Sequence, residues 1–223
     1  MTRRTIIVGD IHGCFDELLA LLDEIGFGAD GDRVVAVGDL IVKGEKNREV
    51  LDLFDSDRRF SSVLGNHDRA VLRSLRGEEV SLKESQRSCR AELDAEAPRY
   101  RRFLESLPLM IDLGTHLVVH AGVRPGFALA AQTIEDLTEL RTLGPDRTSR
   151  EGLPWYDVYS GEKTLLFGHW PALSVRRGAH AIGLDTGCVY GHRLTGYVLE
   201  SGEFISVSAR RAYDRPKVPL PSV

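Results

Sequence analysis

Apolar residues along the chain alternate between two kinds of run. "RTIIVGD" (residues 4–10), "RVVAVGD" (33–39) and "FSSVLGNHD" (60–68) are short, rich in β-branched residues and end at a glycine, as buried strands do. Each is followed by a segment with helical periodicity: "CFDELLALLDEIGF", "NREVLDLFD" and "RAVLRSLR". In the first of these, Phe15, Leu18, Leu19, Leu22 and Ile25 recur at a spacing that lays one apolar stripe against a sheet. Strand and helix alternating in this way predict βαβ units and a parallel sheet covered by helices. From Gly77 to Leu107 the chain turns charged and helix-permissive, interrupted by Pro98, and is read as a helical cap or insert. Two further strand-like runs, "HLVVHAG" and "TLLFGHW", follow on either side of a polar stretch. "AHAIGLDTG" and a hairpin turning at Ser201-Gly202 predict closing strands in a second, antiparallel sheet. The Pro-rich stretch 214–223 is expected to be loose.

The five strand-like runs share an ending: "GDIHG", "GDLIVKG", "GNHD", "VVHAG" and "FGHW" are all polar, glycine-containing turns. In open α/β sheets the ligand crevice lies outside the carboxyl ends of the parallel strands, so these turns are predicted to converge. They carry Asp10, His12, Asp39, Asn66, His120 and His169, a set of oxygen and imidazole donors without thiolate. Such donors suit Mn²⁺, Fe or Zn²⁺, and six exceed what one open catalytic ion needs. With one bridging carboxylate, for which Asp39 is the natural choice, they fit a two-metal site for in-line displacement. His67 cannot point the same way as its neighbour Asn66, which leaves it free to protonate a departing oxygen. Lys43, Arg124 and Arg141 are the candidate phosphate-binding cations.

Composition narrows the picture. A chain of 223 residues, 42% hydrophobic and 28% charged, without a linker-like segment, is expected to form a single domain over 1–223. The net charge of −4 lacks the basic excess of bulk nucleic-acid binding, so a phosphate-bearing ligand must be held locally. "MTRRTIIVGD" is too poor in apolar residues for a signal-peptide core or a membrane span, which predicts a cytoplasmic protein. Cys14, Cys89 and Cys188 are far apart and unpaired by spacing, so neither a disulfide framework nor a thiolate zinc site is expected, and Cys89 is read as exposed.

The ordered motifs Asp-x-His-Gly, Gly-Asp-x-x-x-x-Gly, Gly-Asn-His-Asp, His-Ala-Gly and Gly-His resemble the calcineurin-like metallophosphoesterases, specifically their phosphoprotein-phosphatase branch. Within it, "LFGHWPAL" and "GLDTGCVYGHRLTGYVLESGEF" look most like the bacterial symmetrical diadenosine tetraphosphatases. The resemblance implies an α/β/β/α sandwich and two divalent ions, with manganese the expected metal. It puts Asp10, His12 and Asp39 on one ion, and Asp39, Asn66, His120 and His169 on the other. It also implies a metal-bridged hydroxide attacking phosphorus in line, with His67 as acid. The substrate it implies is a phosphorylated small molecule or dinucleoside polyphosphate. A serine/threonine or broad-specificity protein phosphatase acting on phosphoproteins is the alternative, and a non-catalytic phosphate or nucleotide sensor a remote one. Neither G-x-x-x-x-G-K-[ST] nor G-x-G-x-x-G occurs, which removes the common phosphate-cradling loops of such a sensor.

Two positions depart from the family pattern. Lys43 stands where arginine is usual and offers charge without a bidentate fork. Val42 stands where many members have an aspartate that charges the catalytic histidine. Loss of that partner favours substrates whose leaving group needs little protonation, anhydrides before alkyl esters.

Overall fold

The computed structural model describes residues 3–28 and 31–222. The first half builds β1 (Thr5–Val8), α1 (Phe15–Ile25), β2 (Arg33–Ala36), α2 (Asn47–Ser56), β3 (Phe60–Ser62) and α3 (Asn66–Leu75). The insert follows as α4 (Glu84–Glu92) and α5 (Ala97–Ser106). Then come β4 (Met110–Asp112), β5 (His116–Val119), α6 (Ile134–Glu139), β6 (Thr142–Leu143), β7 (Leu153–Pro154), α7 (Trp155–Val158) and β8 (Thr164–Phe167). The chain closes with β9 (Arg176–Gly178), β10 (Ala181–Gly183), β11 (Arg193–Val198) and β12 (Glu203–Ser208).

Two five-stranded sheets result, in the orders β12-β11-β1-β2-β3 and β4-β5-β8-β10-β9. Both are mixed. In the first, β1, β2 and β3 run parallel and the β11–β12 hairpin adds antiparallel strands. In the second, β5, β8 and β10 run parallel between antiparallel β4 and β9. The expectation of an antiparallel second sheet containing the hairpin is therefore corrected: the hairpin joins the first sheet, because Ile6, Ile7 and Val8 still have a free edge for Val198, Tyr197 and Gly196.

Alternation along each strand sets the layers. Ile7 and Val35 point toward Val118 and Leu166 of the other sheet, forming an apolar core between the sheets. Their neighbours Ile6, Val8 and Val34 face Leu18, Leu21 and Leu22 of α1 and Val50, Leu51 and Phe54 of α2. Leu117, Val119, Leu165 and Phe167 face Trp155 and Tyr156 on the far side. Strands buried on both faces read as continuous apolar runs, and four layers follow, α/β/β/α.

Local differences have local causes. The α1 stripe is Leu18, Leu21, Leu22 and Ile25, with Leu19 46% exposed. Gly26 ends that helix at φ 64°, its N–H and that of Phe27 returning to Asp23 O and Leu22 O. Pro98 does not break a helix but opens α5, in the first turn where its missing N–H costs nothing. Cys89 is buried, not exposed, because α4 turns it into the core with Leu93, Tyr100 and Leu104. In the stretch expected to be loose, Leu220 is buried and Leu173 N–H donates to Pro221 O, while Arg215, Lys217, Val218 and Pro219 are exposed.

Candidate metal centre

The parallel strands of both sheets deliver their carboxyl ends to one crevice. Asp10 and His12 follow β1, Asp39 and Lys43 follow β2, and Asn66 and His67 open α3 after β3. His120 follows β5, His169 follows β8 and Asp185 follows β10. The loops are tied together: His12 N–H donates to Asp39 O (2.8 Å), Gly44 N–H to His12 O (2.9 Å) and Gly168 N–H to His120 O (2.8 Å). Asp68, to which sequence reasoning gave no role, receives Leu40 N–H, Ile41 N–H and Gly65 N–H at 3.1–3.3 Å and so clamps the Asp39 loop to α3. Two glycines permit the approach. A Cβ on Gly65 would strike Asp39 N and Oδ1, and one on Gly168 would strike Asp10 Oδ1.

Among the described residues, every non-glycine with positive φ lies in these loops: His12, Asp39, Val42, Lys43 and His169, between 49° and 81°. Strain of this kind persists only where surrounding contacts hold it.

The donor atoms lie close together. Asp39 Oδ2 lies 3.5 Å from both His12 Nε2 and His120 Nε2, where it could be shared between two ligand sets, while Oδ1 accepts His67 N–H at 2.9 Å. Ligand atoms of Asp10, Asp39 and His120 lie within 4.8 Å of one another, as do those of His12, Asp39 and His67. Asn66 Oδ1 is 3.0 Å from His120 Nε2 and 2.9 Å from His169 Nδ1. Each histidine's other ring nitrogen meets a backbone carbonyl: His12 Nδ1 on Ile41 O (3.1 Å), His120 Nδ1 on Val37 O (2.8 Å), His169 Nε2 on Glu139 O (3.2 Å). A carbonyl accepts only, so those nitrogens carry the protons and the opposite nitrogens turn lone pairs into the crevice.

Electrostatics agree. Burial lowers His12 and His169 well below the usual imidazole range and His120 to about 4, keeping them neutral ligands. Burial also raises Asp10 well above the usual carboxylate range, with Asp185 and Asp39 adding repulsion, and lifts Asp39 to about 6. Three buried carboxylates, Asp10, Asp39 and Asp185, crowd one floor, and divalent cations would relieve that cost. The residues present therefore fit a pair of oxygen- and nitrogen-ligated metal ions.

This floor belongs to a cavity of about 620 Å³ lined also by Lys43, His67 and Arg141. Lys43 Nζ lies 2.9 Å from His12 Nε2. Arg141 is pinned by Thr148 O (3.0 Å) and His169 O (3.3 Å), and burial lowers its guanidinium to about 10. Arg124 is not brought to the cavity: it pairs with Asp136 at 2.8 Å and lies over Phe127, holding the loop before α6. Of the three expected phosphate contacts, Lys43 and Arg141 line the cavity, while the Arg124 guanidinium is paired with the buried Asp136.

Residues far from any motif complete the surroundings. Gln86 of the insert places Nε2 3.4 Å from His67 Nδ1, and its Oε1 accepts Lys83 N–H at 2.9 Å. Cys14 and Cys188, which spacing kept apart, meet beside Glu17 with ligand atoms within 4.8 Å.

A sequence profile of the calcineurin-like phosphoesterases matches residues 3–201. The chain is 30% identical to an asymmetrical bis(5'-nucleosyl)-tetraphosphatase of Bacillus velezensis, covering 93% of this chain and 94% of that one. It is 31% identical to a symmetrical bis(5'-nucleosyl)-tetraphosphatase of Vibrio cholerae, covering 91% and 97%. A solved structure provisionally named a diadenosine tetraphosphatase superposes with TM-score 0.76 at 33% identity over 94% of this chain and 95% of that one. A serine/threonine phosphatase of Saccharomyces cerevisiae shares the fold, at TM-score 0.64 and 17% identity over 97% of this chain and 82% of that one. With its two sheets, its shared carboxylate and that profile match, the chain belongs to the calcineurin-like phosphoesterase family, metal-dependent hydrolases of phosphoric esters and anhydrides.

Proposed function

We propose that the protein hydrolyses phosphoanhydrides of the dinucleoside polyphosphate class at a two-metal site, with manganese as the metal, in the cytoplasm. The observation that carries this reading is Asp39 Oδ2, equidistant from the inward lone pairs of His12 and His120, beneath a cavity ringed by cations. A pair of divalent ions held by Asp10, His12, Asp39, Asn66, His120 and His169 would acidify water and draw charge from the phosphoryl group. Lys43 and Arg141 supply cations to the non-bridging oxygens. His67 hydrogen-bonds to the leaving oxygen through Nε2.

The state of His67 supports an anhydride. With Oε1 occupied by the Lys83 N–H, Gln86 turns its NH₂ to His67 Nδ1, a donor where a carboxylate would be an acceptor. Burial and Lys43 lower the imidazole well below its usual range, and Val42 adds no charge. A neutral imidazole gives a hydrogen bond more readily than a proton. That serves a nucleotide leaving group and serves a serine alkoxide poorly. The relatives' names, symmetrical and asymmetrical tetraphosphatase, support the same substrate class. Among the described residues no helix is long and apolar enough to cross a membrane.

The test is to strip the protein with chelator, reload it with Mn²⁺, and compare diadenosine tetraphosphate, p-nitrophenyl phosphate and a phosphoserine peptide. Preference for the dinucleotide is expected; two ADP mark symmetrical cleavage, ATP plus AMP asymmetrical. A phosphopeptide preference that persists on repurification rejects the proposal in favour of a protein phosphatase, and metal binding without turnover supports a sensor.

A further inference from the structure

The C-terminal segment lines the cavity through Asp214, Arg215 and Lys217. Its near end is fastened where Tyr213 N–H and Asp214 N–H both donate to Val189 O (2.9 and 3.0 Å) and Tyr213 O–H donates to Glu17 Oε1 (2.7 Å). Its far end is fastened by Leu220, buried over Gly187, and by Leu173 N–H on Pro221 O (2.9 Å). Between them, Pro216 and Pro219 restrict the backbone, and Arg215 and Lys217 line the cavity. This strap lies beyond residues 3–201, the stretch that the family profile matches.

The cations here differ from their neighbours in being unpaired. Arg210 is bonded to Asp16 and Arg211 to Glu45, but among the described residues neither Arg215 nor Lys217 makes an ion pair. Lys83 and Arg150, on the same cavity wall, make none either. Lost water around Lys83, then repulsion from Lys217, Lys43 and Arg141, lowers its ammonium from the ordinary value. The lining carboxylates Asp10, Asp39 and Asp185 lie on the metal floor, leaving Glu139 and Asp214 as the acids of the wall. Four cations against two wall carboxylates, in a chain of net charge −4, form a local anion-attracting field.

We propose that the strap's Arg215 and Lys217, with Lys83 and Arg150, bind the distal phosphates of a linear polyphosphate chain whose reacting phosphate sits on the metal floor. This rests on the hydrolase reading above and deepens it. The floor accepts any phosphoryl group; the strap selects those that continue into more phosphates. Arginine and lysine suit this task because they offer several donors to oxygens of a flexible chain.

The test compares wild type with the double variant R215A/K217A, checking by thermal unfolding that both fold. With Mn²⁺ loaded, the variant is expected to lose ~10-fold or more in kcat/KM on diadenosine tetraphosphate, mainly through KM, with p-nitrophenyl phosphate changed less than about twofold. With metal removed, inorganic tripolyphosphate should bind wild type by calorimetry and bind the variant ~10-fold more weakly, and raising salt should narrow the gap. Equal losses on both substrates, or no loss on either with unchanged tripolyphosphate binding, overturn the proposal. Should wild type hydrolyse no phosphorylated substrate, the hydrolase reading fails by itself, and the tripolyphosphate comparison still decides whether the strap binds polyphosphate.

Discussion

Gly168→Ala tests the centre without changing a ligand. An ideal Cβ at Gly168 lands on Asp10 Oδ1, 3.0 Å from Asp10 Cγ and 2.7 Å from Val37 Cγ2. Val37 is fully buried between the sheets and has no room to withdraw, while Asp10, 4% exposed, borders the cavity. Backbone strain is not the issue, since Gly168 is absent from the positive-φ glycines. Overpacking of this kind costs about 1–3 kcal/mol, which for a domain of this size lowers Tm by about 2–12 °C. The carboxylate is the softer neighbour, and moving it breaks its two bonds from His169 N–H at 3.1 and 3.2 Å. A ligand displaced by about 1 Å costs on the order of 10²-fold in rate. The assays are thermal unfolding in chelator, metal per chain by elemental mass spectrometry after Mn²⁺ loading, and p-nitrophenyl phosphate turnover. Gly114→Ala is the control: its φ of 84° adds strain, yet nothing lies within 4 Å of the new Cβ, so stability falls by about 1 kcal/mol with metal content unchanged. A Gly168→Ala protein with full metal and a rate within about twofold of wild type refutes the idea that Gly168 sets the place of Asp10.

Other perturbations separate roles within the site. Lys43→Ala removes the ammonium facing the His12 lone pair, so Mn²⁺ should bind more tightly while turnover falls ~10²–10³-fold; parallel changes in both would contradict a role on phosphate. Asp39→Asn isolates a buried carboxylate raised to about 6: that group costs stability only once ionised, so the Tm of chelated Asp39→Asn relative to chelated wild type should rise between pH 4 and pH 7. A flat difference rejects the burial argument. Gln86→Glu puts an acceptor at His67 Nδ1 and should raise the ratio of alkyl- to aryl-phosphate turnover, measured side by side on the Mn²⁺ enzyme; an unchanged ratio means that Gln86 does not govern the histidine.

The place of all six expected donors in the fold is legible in the sequence, because they stand just past strands whose apolar runs are unmistakable. Parallel strands share a direction, so residues just past their ends must meet. The helix stripe was legible too, apart from its phase: Leu19 and Leu21 are equally apolar, and only the tilt of α1 on the sheet decides between them. Arg124 could not be judged, because Asp136 becomes its partner only when the loop closes on α6. The same holds for Cys14 and Cys188, which no spacing rule connects.

The sequence by itself determined the donor types, their order and the strand ends that carry them, since residue chemistry and period-two burial are local properties. Tertiary structure alone decided which ring nitrogens face inward, that Gln86 stands beside His67, and that Arg215 and Lys217 of the C-terminal segment line the cavity. Those depend on contacts between segments distant along the chain, which pattern and propensity do not encode.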